Sequence, residues 1–105
     1  MTTETALSPS VSGAPAEVTV VVSTGCHFCA DAEDALAEMA GEFPIHVNRV
    51  AALSPQGMDL MQEHRASMSP LVLLDDSFVS AGRLPRGKMR ALLAARLNRT
   101  VVGAQ

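Results

Sequence analysis

Residues 18–22 read Val-Thr-Val-Val-Val, and no other stretch restricts the fold of this chain as strongly. A nearly continuous β-branched run suits a central strand covered on both faces. Ser23-Thr24-Gly25 breaks it. From Cys26 or Phe28 to Ala40 the pattern turns helical. Ala32, Ala35, Leu36 and Met39 recur at spacings of three and four, with Asp31, Glu33, Asp34 and Glu38 between them. The early acids suit the positive end of a helix dipole, and Gly41 suits a C-cap.

The remaining elements follow from similar signals. Ile45–Val50 alternates like a second strand after Pro44. Ser54-Pro55 reads as an N-cap followed by proline at the first helical position, opening a helix to about Arg65. Ser69-Pro70 precedes Leu71-Val72-Leu73-Leu74, a second buried strand. Asp75-Asp76 is a turn, and Ser77–Ser80 is its hairpin partner. A loop from Gly82 to Pro85 leads to a last helix ending near Leu97, with Met89, Leu92, Leu93 and Leu97 on one stripe. The order is β-α-β-α-β-β-α. A helix between strands one and two calls for a parallel crossover, and so does the helix between two and three. The expected architecture is α/β: a four-stranded mixed sheet flanked by three helices on both faces. Residues 1–16, rich in Thr, Ser, Pro and Ala, read as a disordered leader. The domain is expected over 17–98, with 99–105 a short tail.

With 105 residues the chain suits one domain. Hydrophobic residues make up 48%, but aromatics only 3%, so the core must be aliphatic. The six methionines mostly fall on core stripes and read as packing. Three Phe and a net charge of −3 argue against nucleic-acid binding. The charge is uneven. Five acids and no base lie between Asp31 and Glu42, whereas six basic residues and no acid lie from Arg83 onward. No signal peptide and no apolar run of membrane-spanning length is visible, so the expected compartment is the cytoplasm.

The two cysteines, Cys26 and Cys29, stand three apart where a strand gives way to a helix. Structural disulfides are rare in the cytosol, so a close pair there points to catalysis, redox sensing or metal. Exchange chemistry needs a thiolate. Helix N-terminal N–H groups and their positive partial charge lower a thiol's pKa, and Cys26 is placed there. Cys29, one turn on, can reach it, close a disulfide and so release a substrate held in a mixed disulfide. His27 can donate to the thiolate or stabilise it by charge, or it can be, with Phe28, simply an exposed loop residue. Two thiolates are also half of a tetrahedral zinc site that His46 and His64 could complete, or a share of an iron–sulfur cluster bridging two chains. No metal is expected.

The strand–CxxC–helix unit, the element order and the Ser69-Pro70 before strand three resemble the thioredoxin fold. The short length is most similar to glutaredoxin-like proteins, over about residues 17–98. The resemblance implies a thiol–disulfide oxidoreductase with Cys26 as attacking thiol and Cys29 as resolving thiol. It implies that Pro70 is cis, packed beside the cysteines, with the backbone of Ser69 offered to a bound peptide or glutathione. Phe28, Gly82 and Arg83 are the further expected substrate contacts. The expected substrate is a protein disulfide or a glutathione mixed disulfide, and the expected electron donor is glutathione or thioredoxin reductase. No bound cofactor, no membrane and no nucleic acid are expected, and the small size favours a monomer. A redox-sensing or binding module with little turnover, or an iron–sulfur or metal carrier, is the alternative.

The departures are specific. Glutaredoxins carry Pro-Tyr between the cysteines, a Lys before them and an acidic pair near the last helix. This chain has His27-Phe28, Ser23-Thr24-Gly25 and the basic stretch Arg83-Leu84-Pro85-Arg86. An ammonium facing arginines is repelled and a carboxylate attracted, so glutathione would have to bind differently. Arg83, Arg86 and Lys88 read either as a docking patch for an acidic partner or as a solvated helix face.

Overall fold

The computed structural model describes residues 15–103, and of 98–103 the backbone alone. The elements are β1 (Ala16–Val22), α1 (His27–Ala40), β2 (Ile45–Ala51), α2 (Pro55–Glu63), β3 (Leu71–Leu74), β4 (Ser77–Ala81) and α3 (Arg86–Gly103). They form one four-stranded sheet in the order β2-β1-β3-β4. The valine run is the centre of it. Val18, Val20 and Val22 pack on the face covered by α1 and α3, with Leu36, Met39, Met89 and Leu93. Val21 faces the other way, with Leu71, Leu73 and Val50 against Leu60 and Met61 of α2. Glu17 and Thr19 alternate with buried neighbours in the first half of β1, whereas Val20–Val22 are buried in succession, which is why the sequence stops alternating there.

β1 and β2 are parallel, as the intervening helix requires. The expectation of a second parallel crossover is overturned: β3 runs antiparallel to β1, with Leu71 opposite Val21 and Leu74 opposite Val18. A helix forces a parallel crossover only if the chain returns to the edge of the sheet where the previous strand began. The nine residues of α2 rise only about 13.5 Å. Residues 64–70 then carry the chain back to the end of the sheet it left, so β3 enters from there. Pro70 therefore arrives beside the C-terminal end of β1, where the cysteines are.

Local chemistry fixes the joints. Asp75 and Asp76 have φ of 49° and 71°, the left-handed pair that tight hairpin turns demand and that Asp tolerates better than most residues. The ladder slips between Val72 and Leu73, leaving Val79 as an extra residue of β4. The bulge turns both Val79 and Ser80 inward, and Ser80 Oγ is buried without a hydrogen bond among the described residues. Ser54 caps α2 by accepting from Gly57 N at 3.0 Å. A Cβ on Gly57 would come within 2.8 Å of the Ala51 carbonyl carbon and 2.9 Å of Ala52 Cα. Only glycine lets α2 lie this close to the end of β2.

Four sequence expectations need revision. α1 has no acid in its first turn; Asp31 lies one residue further on and pairs with Arg86 at 2.9 Å instead. α3 continues beyond Leu97 to Gly103, because nothing in Asn98–Val102 breaks a helix. α2 stops at Glu63, short of Arg65, which has a φ of 51°. Met39 and Met89 are core residues, but Met58 and Met68 are exposed. The leader expected over 1–16 lies outside the described residues, apart from 15 and 16. Ala16 is already part of β1 and pairs with Ile45.

The acidic and basic runs meet in space. Arg86 bridges Asp31 and Glu38 of α1, and Arg90 pairs with Glu42. Each such exposed pair contributes little, and the packing of α3 beside α1 rests on Leu36, Met39, Met89 and Leu93 in the core. Asp75 is better enclosed. Burial pushes its carboxyl up, but hydrogen bonds from Arg96 and from the Glu17 N–H outweigh this, so its pKa is below the ordinary value. It joins the hairpin turn to α3 and to the start of β1.

Two outcomes follow. Gly57→Ala should lower the urea midpoint. Helix propensity alone would stabilise it by about 1 kcal/mol, but overpacking against backbone costs about 1–3 kcal/mol, so the clash decides the sign. For Asp75, a depressed folded pKa means a contribution fully present above the unfolded value near 4 and lost as pH falls through the folded value. Unfolding midpoints of the wild type should fall between about pH 5 and pH 2, and Asp75→Asn should be weaker at pH 7 and fall less steeply.

Candidate active site

Val22 ends the central strand, and three residues later the chain must begin a helix on one face of the sheet. Gly25 makes the turn with a φ of +67°. Cys26 follows in an extended conformation as N-cap of α1, and its Sγ accepts the Cys29 N–H at 3.0 Å. The sulfur thus occupies the place an N-cap oxygen usually takes, satisfying one of the orphan N–H groups of the first turn. Cys26 and Cys29 are joined by a disulfide. Their settings differ: Cys26 is half-buried, whereas Cys29 is 3% exposed among the α1 and β1 core residues.

The second wall is the loop before β3. The Ser69–Pro70 peptide bond is cis. Pro70 is buried, and the Ser69 carbonyl oxygen lies 3.7 Å from Cys26 Sγ. The Ser69 hydroxyl lies 4.0 Å from the same sulfur and 2.7 Å from the Ser23 hydroxyl. Gly82 N donates to the Pro70 carbonyl at 3.0 Å. Gly82 itself is buried with a φ of +102°, and the Met68 side chain lies over it, 3.6 Å from where a Cβ would be. The backbone conformation alone calls for glycine here, since Met68 would meet a Cβ at ordinary contact distance.

The sequence-predicted residues therefore come together at one end of the sheet. Cys26, Ser69 and Pro70 are in contact or adjacent, and Gly82 is tied to Pro70. Phe28 stands between the cysteines, 44% exposed. Arg83 and Phe28 line a cleft of about 540 Å³ together with Asp31, Leu84 and Pro85. His27 is exposed and makes no hydrogen bond among the described residues. It lines a second, open cleft of about 760 Å³ on the β2 side of Cys26, with Ser23, Thr24 and the Glu33–Arg49 pair. Of the basic residues read as a docking patch, Arg86 pairs with Asp31 and Glu38, and Lys88 Nζ donates to the Val79 carbonyl at 2.8 Å.

Ser23 and Met68 are site residues that sequence reasoning missed. Ser23 carries no signal, because its partner is 46 positions away. Met68 carries a weak one: it directly precedes the Ser-Pro pair. The histidines proposed as metal partners lie elsewhere. His46 Nδ1 is 3.0 Å from Glu17 Oε1, at the opposite end of β1 from the cysteines. His64 stacks on Phe78 at 6.4 Å between centroids. Among the described residues no three His, Cys, Asp or Glu side chains group as a metal site would need. No helix among them is long and apolar enough to cross a membrane.

No protein-family model matches the chain, and no curated protein matches it. Solved structures do. A thioredoxin-like protein from Clostridium perfringens superposes with a TM-score of 0.64 at 12% identity, covering 77% of this chain and 70% of that one. Mitochondrial thioredoxin 3 from Saccharomyces cerevisiae, in its oxidised form, superposes with a TM-score of 0.59 at 12% identity, covering 87% and 88%. A structure concerned with thiol resolution in yeast mitochondrial 1-Cys peroxiredoxin via glutathione/thioredoxin systems gives 0.59 at 13% identity, covering 90% and 92%. The fold is thioredoxin-like.

Proposed function

We propose that the protein is a thiol–disulfide oxidoreductase, glutaredoxin-like, that reduces protein disulfides or glutathione mixed disulfides. The observation that carries this reading is the placement of Cys26 Sγ: half-exposed, at the N-terminus of α1, hydrogen-bonded to the Cys29 N–H and facing the cis Ser69–Pro70 loop. A sulfur so placed is a better thiolate than a free cysteine, because helix N–H groups favour the charged form.

The Cys26 thiolate attacks one sulfur of the substrate disulfide. That S–S bond breaks, and the second substrate sulfur leaves with the electron pair and takes a proton. The Cys29 thiol then gives up its proton and attacks Cys26 Sγ. The substrate's first sulfur leaves, and the Cys26–Cys29 disulfide remains. Two electrons and two protons have passed to the substrate. Burial of Cys29 suits the resolving role, since it is shielded from outside disulfides while within reach of Cys26. Pro70 and the Ser69 backbone form the wall along which a substrate segment lies, with Phe28, Gly82 and Arg83 at its rim. His27, which lines the same cleft as Cys26, stabilises the thiolate by charge or by donating to it.

The dithiol is regenerated by glutathione or by thioredoxin reductase, both donors of a reducing cytoplasm. The protein is proposed to act as a monomer, with no bound cofactor and without membrane or nucleic acid. Turnover separates the donors. Reduction of a model protein disulfide, followed through NADPH with glutathione and glutathione reductase or with thioredoxin reductase, should proceed with one of the two. Cys26→Ser should fall to background. Cys29→Ser should stall on a protein disulfide and accumulate a mixed disulfide visible by mass. Background rates for the wild type with both donors would reject turnover and leave a redox-sensing or binding module.

A further inference from the structure

The Lys and Arg side chains among the described residues are nearly all committed. Arg49 holds Glu33, Arg86 holds Asp31 and Glu38, Arg90 holds Glu42, and Arg96 holds Asp75. Lys88 is bonded to a backbone carbonyl. Among the described residues Arg65 and Arg83 alone stand outside such contacts. Arg83 is exposed and shares its cleft with Phe28, the residue between the two cysteines. Asp31, in the same cleft, is already engaged by Arg86. The planar fork of the Arg83 guanidinium is thus left with its donors unspent in the cleft that Phe28 lines from within the CxxC, an arrangement that suits a carboxylate.

The apolar side of the site points the same way. Five large hydrophobic side chains are exposed among the described residues, and two of them belong to the segments that build the site: Phe28 at 44% and Met68 at 52%. One lies within the CxxC and the other directly before Ser69. A substrate cysteine over Cys26 in an extended segment places its neighbours about 3.3 Å per residue to either side, within reach of both. Glutathione has no apolar side chain to cover them; a peptide has.

We propose that Arg83, Phe28 and Met68 make the site selective for protein disulfides whose cysteine is flanked by an acidic and an apolar residue. This rests on the oxidoreductase reading and names its substrate class. Arg83 acts at the rim, so its effect is on encounter and orientation and is screened by salt.

The test is single-turnover reduction of synthetic peptide disulfides by the pre-reduced protein, with no other reductant present. Three peptides flank the cysteine with Asp and Leu, Lys and Leu, or Asp and Ser. The second-order rate for Asp-Leu should exceed that for Lys-Leu by about three- to fivefold at low salt. That ratio should shrink toward one in Arg83→Ala and in about 0.5 M salt, invert in Arg83→Glu, and persist in Arg83→Lys. The Asp-Leu to Asp-Ser ratio should fall in Phe28→Ala and in Met68→Ala. A charge ratio near one in the wild type, or one unaffected by Arg83→Ala, would overturn the proposal. So would glutathione mixed disulfides that outpace every peptide and depend on Arg83, because Arg83 would then serve glutathione. These results differ from failure of the oxidoreductase reading, in which the reduced wild type would reduce none of the disulfides.

Discussion

The Cys29 N–H lies 3.0 Å from Cys26 Sγ, and the chemistry proposed for this chain rests on that contact. It is a helix cap made by sulfur instead of oxygen. A neutral thiol is a weak acceptor, and a thiolate is a strong one, so the cap favours the ionised form. The contact exists because Gly25 turns the chain out of β1 with a positive φ, and because β1 is held rigid by burial on both faces. The valine run and the reactive sulfur are therefore parts of one device: a fixed strand end that aims a helix N-terminus.

The other half of the site depends on strand direction. Because β3 is antiparallel to β1, its first residues lie beside the last residues of β1, and Ser69 comes within 3.7 Å of Cys26 Sγ. A parallel β3 would put the proline at the far end of the sheet, beside His46 and Glu17. Gly57 takes part at a distance. By allowing α2 to lie against the end of β2, it sets where the returning loop starts.

Much of this is written locally and could be read from the chain. The β-branched run, the Ser54-Pro55 cap, the Asp75-Asp76 turn and the CxxC before a helical period each specify their own geometry within a few residues. Their order specifies the four-stranded α/β layout, and the resemblance carried by the CxxC and Ser69-Pro70 makes it thioredoxin-like. What could not be read lies in tertiary placement. Strand direction after α2 depends on where a loop returns, not on the residues of the strand. Arg86 meets Asp31 and Glu38 across two helices, 55 and 48 positions away, so the sequence alone leaves the basic run open between a docking patch and a solvated face. Ser23 entered the site through a partner that only the fold supplies. Met68 gives little signal, because an apolar residue in a short loop looks the same in sequence whether it faces inward or lines a groove.

The central claim is that the N-terminus of α1 activates Cys26 as a thiolate. The pH dependence of alkylation of the reduced Cys29→Ser protein tests it directly, since Cys26 is then the only thiol and the residue 29 N–H is retained. The account predicts a single titration with a midpoint well below the free value of about 8.5. A midpoint at or above that value would contradict it.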